Sequence, residues 1–106
     1  MDKAKFTIEK MSSAPNIKLV AAGYIAFDTA GQFEMELNNS FKENPQSIMI
    51  DMEEVVIFTS VAIRVLLKAY KTAEEMNVVF KIVNPSRIVR NVLKLSQLEE
   101  MLVTNT

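Results

Sequence analysis

Ser47-Ile-Met-Ile-Asp-Met-Glu-Glu-Val-Val-Ile-Phe-Thr-Ser-Val-Ala-Ile-Arg-Val-Leu-Leu67 decides the fold of this chain. Ser47 to Met52 reads as an apolar strand. A polar step, Glu53-Glu54, separates it from Val55-Val-Ile-Phe58, a short buried connection. Ser60 then opens an amphipathic helix running to about Met76. Ala62, Val65, Leu66, Ala69, Ala73 and Met76 recur at helical spacing and form its core face.

Working outward, strands and helices alternate. Phe6-Thr-Ile8 reads as a short edge strand, and Ser12-Ser-Ala-Pro-Asn16 as a loop. Ile17 to Ala26 is apolar with β-branched members, which predicts a buried strand ending near Gly23-Tyr24. Asp28 and Thr29 offer a cap for a helix over about 30–43, whose stripe is Ala30, Phe33, Leu37 and Phe41. Asn44-Pro45 stops it. Past the long helix, Val78 to Val83 is a further strand, and Asn84-Pro-Ser86 caps a helix that buries Ile88 or Val89, Val92 and Leu93. The segment from Ser96 to Thr106 closes the chain, docked through Leu98, Met101 and Leu102. This alternation implies crossover connections and a largely parallel sheet, with the first strand pairing antiparallel to the second. The expectation is a single α/β domain over 1–106: a small mixed sheet of four or five strands flanked by helices.

Composition narrows the function. With no cysteine or histidine, thiol chemistry, most zinc sites and histidine-dependent triads are excluded. Only Gly23 and Gly31 are present, so no glycine-rich phosphate loop can form. A net charge of −1 with scattered basic residues argues against nucleic-acid binding. No signal core or bilayer-length apolar run is seen, which predicts a cytoplasmic protein without membrane insertion. The seven methionines read mostly as core filler.

Two features carry possible chemistry. Ser60 at a strand-to-helix junction can be an N-cap, worth roughly 0.5–2 kcal/mol, with Thr59 as a redundant one. On spacing alone the cap is the favoured reading; the other is a phosphate acceptor, since free N–H groups and the helix dipole favour negative charge there. Asp51, Glu53 and Glu54 could hold a metal or act as acid and base, but a solvated surface loop explains them better. Ile63, Leu67 and Tyr70 lie off the core stripe among Arg64, Lys68 and Lys71. They pack under a neighbouring element or form a charged-rimmed docking strip.

Ile48-Met-Ile-Asp51 followed by Val55, Phe58-Thr-Ser-Val-Ala-Ile-Arg-Val-Leu-Leu-Lys-Ala-Tyr70, Val83-Asn-Pro-Ser86 and Leu93-Lys-Leu-Ser-Gln-Leu98 together resemble the STAS domain family. That family comprises anti-sigma factor antagonists and the cytoplasmic tails of sulfate transporters. The resemblance implies a non-enzymatic, bacterial regulator without cofactor or metal. Its serine at Ser60 would be phosphorylated by a kinase-type anti-sigma factor and reset by a phosphatase. It also implies a docking surface made by Asp51, Thr59, Val61, Ala62, Ile63, Arg64 and Leu67. The chain departs from the family at Thr59, often Asp, at Ala62, a glycine, and at Ala26, an acid. These departures leave room for a second reading, a constitutive interaction module in a signalling complex or beside a transport system, with Ser60 merely capping. A small enzyme using the acidic cluster is third.

Overall fold

The computed structural model describes residues 5–98. The elements are β1 (Phe6–Ser12), β2 (Asn16–Ile25), α1 (Ala30–Phe41), β3 (Ser47–Phe58), α2 (Ser60–Met76), β4 (Val79–Val83) and α3 (Arg87–Leu95). Among the described residues the sheet has four strands in the order β1-β2-β3-β4. β1 is antiparallel to β2, and β2, β3 and β4 are parallel, so the expected mixed α/β sheet is present. Met101 and Leu102, expected to dock the chain end, lie outside the described residues.

The core follows from strand alternation. Ile17, Ile48 and Phe80 form one row across the three parallel strands, and Leu19, Ile50 and Ile82 form the next. All six are essentially inaccessible. Right-handed crossovers between successive parallel neighbours put α1 and α2 on one face of the sheet, where the two helices also meet each other. Phe33 of α1 meets Phe6 of β1 edge-to-face, with ring centroids 5.9 Å apart. Phe41 stacks on Phe80 at 6.2 Å. The predicted stripe of α1 is buried throughout.

Three expectations change. First, the segment from Ser47 to Phe58 is one continuous strand rather than a strand and a connection. Register slips between Val20 and Ala22, and between Gly23 and Tyr24, each place an extra residue in β3. These bulges keep Val55 and Phe58 on the core face while Val56 becomes exposed. Glu53 and Glu54 are therefore strand residues and not a surface loop. Second, Met76 ends α2 on the solvent side, so the core face stops at Ala73. Third, Met11 and Met35 are also exposed and Met49 is only half-buried. Among the described methionines, Met52 alone is core filler.

Gly23 marks a close approach. Its φ is +98°, and a Cβ there would stand 2.2 Å from the Lys5 carbonyl oxygen. Glycine is required by both the backbone angle and the space. The approach lets the Tyr24 N–H donate to that same carbonyl at 2.7 Å, which ties the start of the described chain to the end of β2. α2 closes on Asn77 in the left-handed region, with the Val78 N–H reaching back to the Ala73 carbonyl at 2.8 Å.

Candidate functional site

The C-terminal ends of β2 and β3 finish side by side, with Ile25 and Phe58 paired and buried. Thr59 follows in extended conformation and is the N-cap of α2. Its N–H donates to the Ile25 carbonyl at 3.1 Å and its hydroxyl to the same oxygen at 3.3 Å. Its own carbonyl accepts from the Ile63 N–H at 3.1 Å and begins the helix. The helix start is thus fastened to the neighbouring strand through Thr59, and the Thr59 hydroxyl points away from the helix N–H groups.

Ser60 is consequently the first helical residue, one position past the cap. Its side chain is exposed, and no described residue bonds its hydroxyl. The expectation that Ser60 or Thr59 caps the helix by a side-chain bond is corrected, because neither does so. One element's residue fills the cap and looks backward, leaving the serine oxygen facing outward.

The β2–α1 turn borders the same end. Thr29 is buried; its hydroxyl donates to the Tyr24 carbonyl at 2.6 Å and accepts from the Ala26 N–H at 2.9 Å. This packs the turn tightly while leaving Phe27 87% exposed and Tyr24 half exposed at 50%. Sequence reasoning passed over Phe27. The signal was there: an aromatic residue set between Ala26 and the polar pair Asp28-Thr29, with no strand or helix stripe to absorb it. Beside it, Lys5 and Asp28 pair at 2.6 Å. The hydrogen bond from Lys5, reinforced by its charge, holds the Asp28 carboxyl below the ordinary aspartate range, and Asp28 raises Lys5 in return.

The remaining predicted docking residues fall into two groups. Thr59, Val61, Ile63 and Leu67 are half-buried and Arg64 is exposed, on the cap and the first two turns of α2. Val61, Ile63 and Tyr70 pack on the rim of the core, so the apolar strip is partly absorbed by packing. Val61, Arg64, Val65 and Lys68 line a shallow groove of about 230 Å³ with Glu34 of α1. Lys68 bridges that groove to Glu34 at 3.0 Å.

Two predicted residues do not join this surface. Ala62 is fully buried in the core, so no partner can reach its methyl group. Asp51 lies seven residues before Phe58 in β3, roughly 20 Å down the strand from the α2 start. Its carboxylate accepts from the Glu53 N–H at 3.1 Å and the Asn84 side chain at 3.0 Å. Asp51 therefore fastens the β4–α3 connection to β3. Among the described residues no group of three or more acids is arranged to hold a metal ion. Among the described residues no helix is long and apolar enough to cross a membrane.

Comparison with known proteins agrees with this geometry. Residues 8–106 match the STAS domain family. The fold resembles a crystal structure of an anti-sigma factor antagonist from Mycobacterium paratuberculosis, with a TM-score of 0.83 and 20% identity over 94% of this chain and 86% of that one. It also resembles the anti-sigma factor antagonist SpoIIAA in its unphosphorylated form, with a TM-score of 0.78 and 19% identity over 95% and 88%. The phosphorylated form of SpoIIAA, a Bacillus cell fate determinant, gives 0.73 and 19% over 95% and 91%. No curated protein sequence matches the chain.

Proposed function

The chain belongs to the STAS domain family, and on that premise we propose that it is a non-enzymatic partner-switching regulator, an anti-sigma factor antagonist controlled at Ser60. The observation that carries this reading is the outward-facing Ser60 hydroxyl, which the fold does not use although it stands at a helix start. SpoIIAA, similar in fold, has both phosphorylated and unphosphorylated forms. That precedent supports a modified serine here.

In this reading a kinase-type anti-sigma factor docks on Thr59, Val61, Ile63, Arg64 and Leu67, with Phe27 and Tyr24 as apolar contacts from the adjoining turn. The Ser60 oxygen attacks the γ-phosphorus of the partner's ATP. The new O–P bond forms as the bond to the β-phosphate oxygen breaks, ADP leaves, and the hydroxyl proton passes to a base on the partner. The product carries about −1.5 to −2 charges at a spot the partner would have to desolvate. The carrier itself tolerates that charge, because helix N–H groups and the dipole favour it. Docking is lost while folding is kept. Complete switching between bound and free requires a differential of about 5.5 kcal/mol, and a desolvated dianion is a sufficient source. A phosphatase then restores the hydroxyl, and the whole cycle belongs in the cytoplasm.

The test is incubation with a cognate kinase-type anti-sigma factor and ATP, followed by mass spectrometry and binding measurement. One phosphoryl group on Ser60, with loss of binding by Ser60→Asp, is expected. An unmodified Ser60, together with undiminished binding by Ser60→Asp, would replace the switch with a constitutive interaction module.

A further inference from the structure

What holds a phosphoryl group once it is on Ser60 depends on the proposed role of Ser60 as the acceptor. Ser60 and Arg64 are four residues apart at the start of one continuous helix. Residues so spaced share a face, and helical side chains lean toward the N-terminus, so Arg64 reaches back over Ser60. Among the described residues, Lys5 is paired with Asp28 and Lys68 with Glu34. Arg64 is exposed and has no carboxylate partner among the described residues. It lines the groove formed with Val61, Val65, Lys68 and Glu34.

We propose that Arg64 is the intramolecular clamp for phosphorylated Ser60, its planar guanidinium taking two phosphoryl oxygens and leaving the groove as it does so. Guanidinium suits this task because its fork of donors matches phosphate geometry, which a lysine point charge does not. Phosphorylation then alters the docking surface twice. It adds an anion at the helix start, and it occupies the donors that the unmodified chain presents to its partner one turn further along.

The test uses the full chain with phosphoserine installed at position 60 during synthesis, so that no kinase is needed. A phosphorus NMR titration follows the second ionisation of the phosphate, ordinarily near pH 6. With Arg64 present the midpoint is expected below that of the Arg64→Gln variant by about half a unit, and salt should shrink the gap. Arg64→Lys should fall between the two, while Arg90→Gln, on α3, should leave the midpoint unchanged. The Arg64 side-chain N–H resonance should also move between unmodified and phosphorylated chains. Coincident midpoints for the parent and Arg64→Gln chains, with both folded by circular dichroism, would overturn the clamp. That result would leave the acceptor role of Ser60 standing, whereas failure of a kinase to modify Ser60 would leave the titration result untouched.

Discussion

Among the described residues two serines stand at helix starts, and they have opposite fates. Ser86 is the N-cap of α3: its hydroxyl accepts from the Val89 N–H at 3.3 Å and its own N–H donates to the Met52 carbonyl at 3.1 Å. Both polar groups of Ser86 are spent on structure. At α2 the cap is Thr59, which turns its hydroxyl back to β2, and the serine comes one residue later with its oxygen exposed. A shift of one position relative to the helix boundary separates a structural hydroxyl from an available one. Residue type and neighbourhood do not distinguish them. The bonding of the preceding residue does.

The sharpest way to break this comparison is to remove each hydroxyl in turn. Ser60→Ala should abolish phosphate incorporation, yet change stability by no more than about 0.5 kcal/mol. Ser86→Ala should leave incorporation intact and cost about 0.5–2 kcal/mol, lowering the melting temperature by about 4–8 °C per kcal/mol. Mass spectrometry and calorimetry on both variants decide it, and a stability loss at Ser60 matching that at Ser86 would erase the distinction. The largest stability effect belongs to the frame behind the α2 start. Gly23→Ala forces a methyl against the Lys5 carbonyl in a left-handed backbone. It should cost about 2–4 kcal/mol through strain and overpacking, read by urea denaturation.

A smaller effect sharpens the role of Thr59. Thr59→Val removes the hydroxyl bond to Ile25 but keeps the amide bond to the same carbonyl. A loss of about 0.5–1.5 kcal/mol is expected, with faster amide exchange at Ser60 and Val61 as the local readout. The smallest effect is electrostatic. The Lys5–Asp28 pair contributes while both are charged. Asp28 is depressed, so its share is present above its unfolded value and fades as pH falls through the folded one. Lys5 is raised, so its share holds below its unfolded value and fades as pH rises through the folded one. In Lys5→Met the Asp28 carboxyl should titrate higher, back toward the ordinary aspartate range, as carbon NMR of its side chain would record.

The long helix was readable in the sequence to both its ends because its apolar spacing runs unbroken from Ala62 to Ala73 and Asn77 stops it. The mixed sheet followed from alternation of elements. β3 was misread for a physical reason. Its buried residues are Ile48, Ile50, Met52, Val55 and Phe58, and the two spacings of three coincide with the two register slips. Bulges shift the phase of a strand, so a period-two reading loses it at Glu53 and restarts it as something else. The site was legible as a serine and its surrounding helix face, but not as a free hydroxyl. That depended on Thr59 bonding across to Ile25, a contact between residues 34 apart that no local pattern encodes. Asp51 enters the expected docking surface through the family resemblance, and extended β3 carries it away from the α2 start.

The double tether from Thr59 to Ile25 fixes the position of Ser60 from the sheet instead of from the helix it begins. Residues on the outer turns of α2 can therefore vary in shape and charge without relocating the Ser60 oxygen. In the proposed switch, specificity for one binding protein over another can drift along that helix while the Ser60 oxygen stays in place.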